Sequence, residues 1–111
     1  RLDAYTFHEG FAHLLSYQAT EIDCVDWHTP ELTEVAAASR AKLRLALTET
    51  DPDRQKQFLE EAVCGSYYEK FACMCGMLYL ADRWETQGID GLKSAFADYH
   101  GFAQRALSIR I

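Results

Sequence analysis

Two histidines and a carboxylate fall within six residues near the start of the chain, in the string His8-Glu9-Gly10-Phe11-Ala12-His13. Imidazole nitrogens and carboxylate oxygens are common donors for zinc and related divalent metals, and a positioned carboxylate can also act as a general base. No other stretch concentrates so much metal-capable and acid–base chemistry. Histidines five positions apart project about 140° apart around an ideal helix, so both face one ion only if the helix carries a bulge. Gly10 lies between them and would ease such a distortion, which is of a kind found at functional sites. Glu9 and His13, four apart, lie about 40° from each other and can equally form an ordinary surface pair.

The elements that must position these groups are helices. Leu2, Ala4, Phe7, Phe11, Leu14 and Leu15 recur at three-and-four spacing, which predicts a first helix from Asp3, as N-cap, to Gln18. With Phe11 at the centre of the apolar face, His8 falls about 60° off it, at the edge of the core. Residues 19–28 carry no period and read as a connection. Thr29-Pro30-Glu31 and Asp51-Pro52-Asp53 each place a capping side chain, a proline and an acid in the order that opens a helix. They predict a second helix to Leu47 and a third to Cys64, with Gly65 just beyond its end. Ser66 and Glu69 make a capping-box pattern opening a fourth helix that ends before Gly88. Its Phe71, Ala72, Cys75, Met77, Leu78, Leu80 and Ala81 leave little polar surface, so it should be the most buried element. Asp90 is the expected cap of a fifth helix carrying Leu92 to Leu107, with Gly101 placed to kink or interrupt it. No strand alternation is present. The expectation is an all-α single domain over 1–111, of about five helices around a central helix at roughly 66–85.

Composition bounds the partners. The 111 residues are 49% hydrophobic, with six Phe, six Tyr and two Trp, which is enough apolar surface for a real core at this size. The formal charge of −6 supplies no basic stripe for a phosphate backbone, so nucleic acid is not expected as a partner. No apolar run reaches the length of a membrane span. Cys24, Cys64, Cys73 and Cys75 lack the spacing of a structural zinc site and read as free thiols, which favours a reducing, cytoplasmic compartment. The abrupt opening on Arg1-Leu2-Asp3 reads as an excised domain or the tail of a longer protein.

The His8-Glu9-x-x-x-His13 string resembles the active-site motif of the dipeptidyl peptidase III family of zinc aminopeptidases. That resemblance implies zinc held by His8 and His13, Glu9 as the catalytic base, and a third ligand from a later glutamate pair, here Glu60-Glu61, with Glu61 the candidate. A second resemblance covers more of the chain. Glu9-Gly10-Phe11-Ala12 with its following apolar run looks like the helix that donates the glutamate ligand in gluzincin-type metallopeptidases, and residues 65–71 with their long apolar helix are similar to helices behind such sites. It implies that Glu9 is itself a zinc ligand and that the chain is the C-terminal helical half of a peptidase. Both imply zinc and a peptide or protein substrate, and they give Glu9 different roles. Two other metal and nucleophile classes fit less well. A di-iron bundle needs Glu-x-x-His on two helices, and no Gly-x-Ser-x-Gly elbow occurs. The competing expectation is a non-catalytic helical interaction module presenting an aromatic patch around Tyr17, Trp27 or Trp84. It would leave His8 packed, His13 solvated and no third ligand in reach.

Overall fold

The structure, a computed structural model describing residues 1–111, is entirely helical. Its elements are α1 (Leu2–Ser16), α2 (Pro30–Thr48), α3 (Pro52–Val63), α4 (Phe71–Gln87), α5 (Ile89–Ala97) and α6 (Phe102–Ala106). Short 3-10 turns at Tyr17–Ala19, Ile22–Cys24 and Tyr67–Glu69 fill the connections. Both proline-marked starts form as the sequence predicts. Thr29 Oγ1 accepts the Leu32 amide at 3.2 Å, and Asp51 Oδ2 accepts the Arg54 amide at 3.0 Å. Each satisfies an amide that the first turn would otherwise leave without a partner.

α4 is the centre. Every residue from Phe71 to Leu78 is buried, and Leu80, Ala81 and Asp82 continue the buried surface after half-buried Tyr79. Full burial of a side chain such as Phe71, Met74, Met77 or Leu78 contributes about 1.5–3 kcal/mol each, so this helix carries a large share of the apolar stabilisation. α1 packs along it, and the chain directions are opposed: Thr6 and Gly10 meet Gly76, His13 meets Tyr67 in the turn before α4, and Tyr17 meets Tyr68. The closest point is a glycine pair. A methyl built on Gly10 would lie 2.6 Å from the Gly76 backbone, and one on Gly76 would overlap the Thr6 carbonyl oxygen. Two helices this close require the absence of a side chain at both positions.

Three local readings are corrected. Asp3 is inside α1 and does not cap it. Its carboxylate instead accepts the amides of Gly101 at 2.9 Å and Ala103 at 3.0 Å, capping α6 from across the fold. Asp90 lies in the first turn of α5 and Gly88 holds the cap position. Ser66 makes no side-chain cap and does not open α4: a 3-10 turn intervenes and α4 starts at Phe71. The expected fifth helix is two. Asp98 turns extended and accepts the His100 amide at 2.9 Å, Gly101 takes a left-handed φ of +74°, and Arg105 donates to the carbonyls of Asp98 and His100. The C-terminal segment returns to the core, with Ile109 buried, its carbonyl accepting from Arg40 and Arg110 paired to Asp82. No helix is long and apolar enough to cross a membrane.

Candidate metal centre at the α1–α4 seam

α1 is one regular helix from Leu2 to Ser16, without the bulge that His8 and His13 would need to face one ion. Gly10 has a different task from the one its position suggests: it admits the backbone of α4. The two histidines accordingly point to different neighbours. The exposed His8 packs its ring against Phe7 and Tyr99, at centroid distances of 5.1 and 5.2 Å. The half-buried His13 lies 5.3 Å from the ring of Tyr67, beside the start of α4. Glu61 is on α3 and pairs with Lys42 at 3.2 Å; Glu60 is exposed. The structure therefore does not bring together the set His8, His13 and Glu61.

It brings together a different set. The ligand atoms of Glu9, His13 and Cys73 all lie within 4.8 Å of one another. The close crossing explains this convergence. Glu9 precedes Gly10 by one residue and His13 follows it by three, while Cys73 precedes Gly76 by three. Where the backbones touch at Gly10 and Gly76, side chains a few residues along the antiparallel seam are driven to the same place. Donors around a tetrahedral zinc sit about 3.3–3.8 Å apart, given metal–nitrogen and metal–sulfur bonds of about 2.0–2.3 Å. The three donors are held within 4.8 Å, a wider bound than such a shell. Glu9 is exposed, His13 half-buried and Cys73 fully buried, so the three form an open-topped site with the sulfur at its floor.

The local hydrogen bonds orient the donors. His13 Nδ1 lies 2.6 Å from the Glu9 carbonyl oxygen. A carbonyl only accepts, so Nδ1 carries the hydrogen and the lone pair is on Nε2. The Cys73 thiol donates to the Ala62 carbonyl at 3.6 Å. Burial, reinforced by the charge of Glu9 and partly offset by Lys70, pushes this thiol up to about 11. Tyr67 stands beside His13, and Tyr17 and Tyr68 adjoin Tyr67. Tyr67 has its hydroxyl raised above the usual tyrosine value by burial, and Lys70 Nζ lies 5.7 Å from its ring centroid. Tyr17 and Tyr68 share a hydroxyl–hydroxyl bond of 2.9 Å. Burial, with that bond adding to it, raises Tyr17 further still.

The aromatic patch expected of an interaction module does not form from the residues named for it. Tyr17 and Trp27 are buried against each other, and Trp84 is half-buried and donates its indole hydrogen to Asp23 at 2.9 Å. His28 pairs with Glu85 at 2.8 Å and His100 is exposed, neither near the seam cluster. Sequence reasoning missed Cys73 and Tyr67 as site residues. The available signal was a glycine inside each of two apolar helices, which marks a close crossing and hence which flanking positions can meet. Comparison with protein families, with curated proteins and with solved structures finds no match to this chain.

Proposed function

We propose that this chain is a zinc metallopeptidase-like helical domain in which Glu9 and His13, on the open side of α1, supply donors to the metal. The observation that carries the reading is the convergence of metal-ligating side chains from two helices within 4.8 Å, with the Glu9 carboxylate exposed to solvent. A transition-metal donor set that leaves a coordination position free has the composition of a catalytic rather than a purely structural zinc site. Zinc bound there supplies Lewis acidity toward a scissile carbonyl. The protein's own part is positional. The Glu9 carbonyl fixes the His13 tautomer and ring, as second-shell partners of ligating histidines do, and the carboxylate of Glu9 faces the other donors. Of the two roles the resemblances give Glu9, this placement favours ligand over base.

Zinc content by mass spectrometry, after metal supply and dialysis, tests the reading alongside hydrolysis of an unfolded protein substrate. One zinc per chain is expected, retained in His8→Ala and lost in His13→Ala and Glu9→Ala. Substrate cleavage should follow the zinc. A folded protein that takes up no zinc would end the metal reading. Stoichiometric zinc without cleavage would end the peptidase assignment.

A further inference from the structure

We infer that Cys73 is a direct ligand, as thiolate, of a mixed carboxylate–imidazole–thiolate centre formed with Glu9 and His13. The inference rests on the metal-binding part of the proposed function and adds the third donor, which determines the class of ion the site accepts. Cys73 has no exposed surface, yet its sulfur reaches the ligand atoms of an exposed carboxylate and a half-buried imidazole. Its hydrogen-bond partner is the Ala62 carbonyl at 3.6 Å, a long contact for a weak donor. Cys75 offers an internal comparison. It lies two residues further along α4, is equally buried, and stands outside any such group of donors, as a packing thiol does. Magnesium and calcium bind through all-oxygen shells, whereas one oxygen, one nitrogen and one sulfur match the borderline-soft ions zinc and cobalt(II).

Binding balances without any redox step. The Cys73 S–H bond breaks, its proton passes to solvent, and the sulfur lone pair forms the bond to the divalent ion. The hydrogen bond to the Ala62 carbonyl is given up in exchange. Glu9 binds as the carboxylate. His13 binds through Nε2, its Nδ1 hydrogen staying on the Glu9 carbonyl, so neither loses a proton.

Cobalt(II) titration of the whole chain reads the sulfur directly. One equivalent should give visible d–d bands together with a near-ultraviolet thiolate-to-cobalt charge-transfer band. That band should persist in Cys24→Ser, Cys64→Ser and Cys75→Ala and vanish in Cys73→Ser, with cobalt affinity weakened at least tenfold. Far-ultraviolet circular dichroism checks that each variant is folded. X-ray absorption on zinc-loaded wild-type and Cys64→Ser protein needs no change at Cys73 and should show one sulfur at about 2.3 Å. Cobalt d–d bands with no charge-transfer band, or a zinc shell of nitrogen and oxygen alone, would overturn the thiolate assignment while leaving the zinc reading standing. A charge-transfer band that survives in folded Cys73→Ser would overturn it as well. A folded protein that binds neither ion would overturn both.

Discussion

Replacing Gly76 with alanine adds one methyl group at the point where α1 and α4 touch. In an exposed helix the same change stabilises by about 1 kcal/mol, because alanine restricts the unfolded chain and favours helix. Here the methyl overlaps the Thr6 carbonyl oxygen and lies 3.0 Å from the Gly10 Cα, and both obstacles are backbone. No rotamer change relieves them. α1 must withdraw by about 1 Å, and a gap of that size forfeits a quarter to a half of the dispersion attraction across the seam. Overpacking of a tight core costs about 1–3 kcal/mol and sometimes more. With backbone on both sides the upper end applies, leaving a net loss of about 2 kcal/mol after the helix-propensity gain. For a domain of this size that corresponds to a fall in Tm of about 8 °C. Urea unfolding followed by far-ultraviolet circular dichroism gives the free energy, and a thermal scan gives the midpoint. Gly65→Ala is the control: nothing lies within 4 Å of the added methyl, and its cost is only the left-handed φ of +104°, about 1 kcal/mol. A Gly76→Ala protein as stable as wild type, or more so, would refute the close-crossing argument and with it the explanation of why Glu9, His13 and Cys73 converge.

Three further outcomes follow from other features. Thr6 is fully buried and its hydroxyl has no hydrogen-bond partner. Thr6→Val should therefore stabilise by about 1 kcal/mol, read as a higher urea midpoint at unchanged slope. Asp3→Ala removes a carboxylate that accepts two amides and should destabilise by about 1–2 kcal/mol. Hydrogen exchange should speed up selectively at Gly101 and Ala103. Burial pushes the Cys75 thiol from the ordinary 9.0 up to about 12, and the Cys73 thiol to about 11. Above pH 9 the unfolded chain binds fewer protons than the native one, so their contribution to stability is intact below 9 and lost as pH rises through 11 to 12. Urea midpoints measured across that range should fall, and the fall should be shallower in Cys75→Ala.

Helix existence was legible where a helix declares itself locally. Thr29-Pro30 and Asp51-Pro52 open α2 and α3 where expected, and the unbroken apolar run from Phe71 identified the central helix. What failed was reading the partner of a polar group from its neighbours in sequence. Asp3 has the type and position of an N-cap for α1, but its oxygens turn to amides about a hundred residues away. Ser66 and Glu69 have the spacing of a capping box, yet the chain tightens there into a 3-10 turn. The third donor of the candidate site was hidden in the same manner. Helical geometry placed Glu9 beside His13 and separated His8 from both, and the structure keeps that arrangement. Cys73 lies sixty positions from His13, and periodicity within one helix carries no information on which faces of two helices meet. Gly10, taken for a point of distortion in α1, is a point of contact with α4.

The clasp between Asp3 and the start of α6 spans 98 residues to the Gly101 amide. Bringing the ends of a flexible loop of that length together costs about 4 kcal/mol in chain entropy, from the logarithmic dependence on loop length. Two charge-assisted hydrogen bonds at about 1.5–3 kcal/mol each roughly offset that cost and leave at most about 2 kcal/mol toward ordering a five-residue helix. The expected order is therefore that α1 docks on α4 first, which shortens the effective loop, and the clasp closes afterwards. α6 should thus assemble late, and Phe102, Ala103 and Ala106 become fully buried only once it has. In native-state exchange it should open as a unit of its own while the α1–α4 pair stays shut.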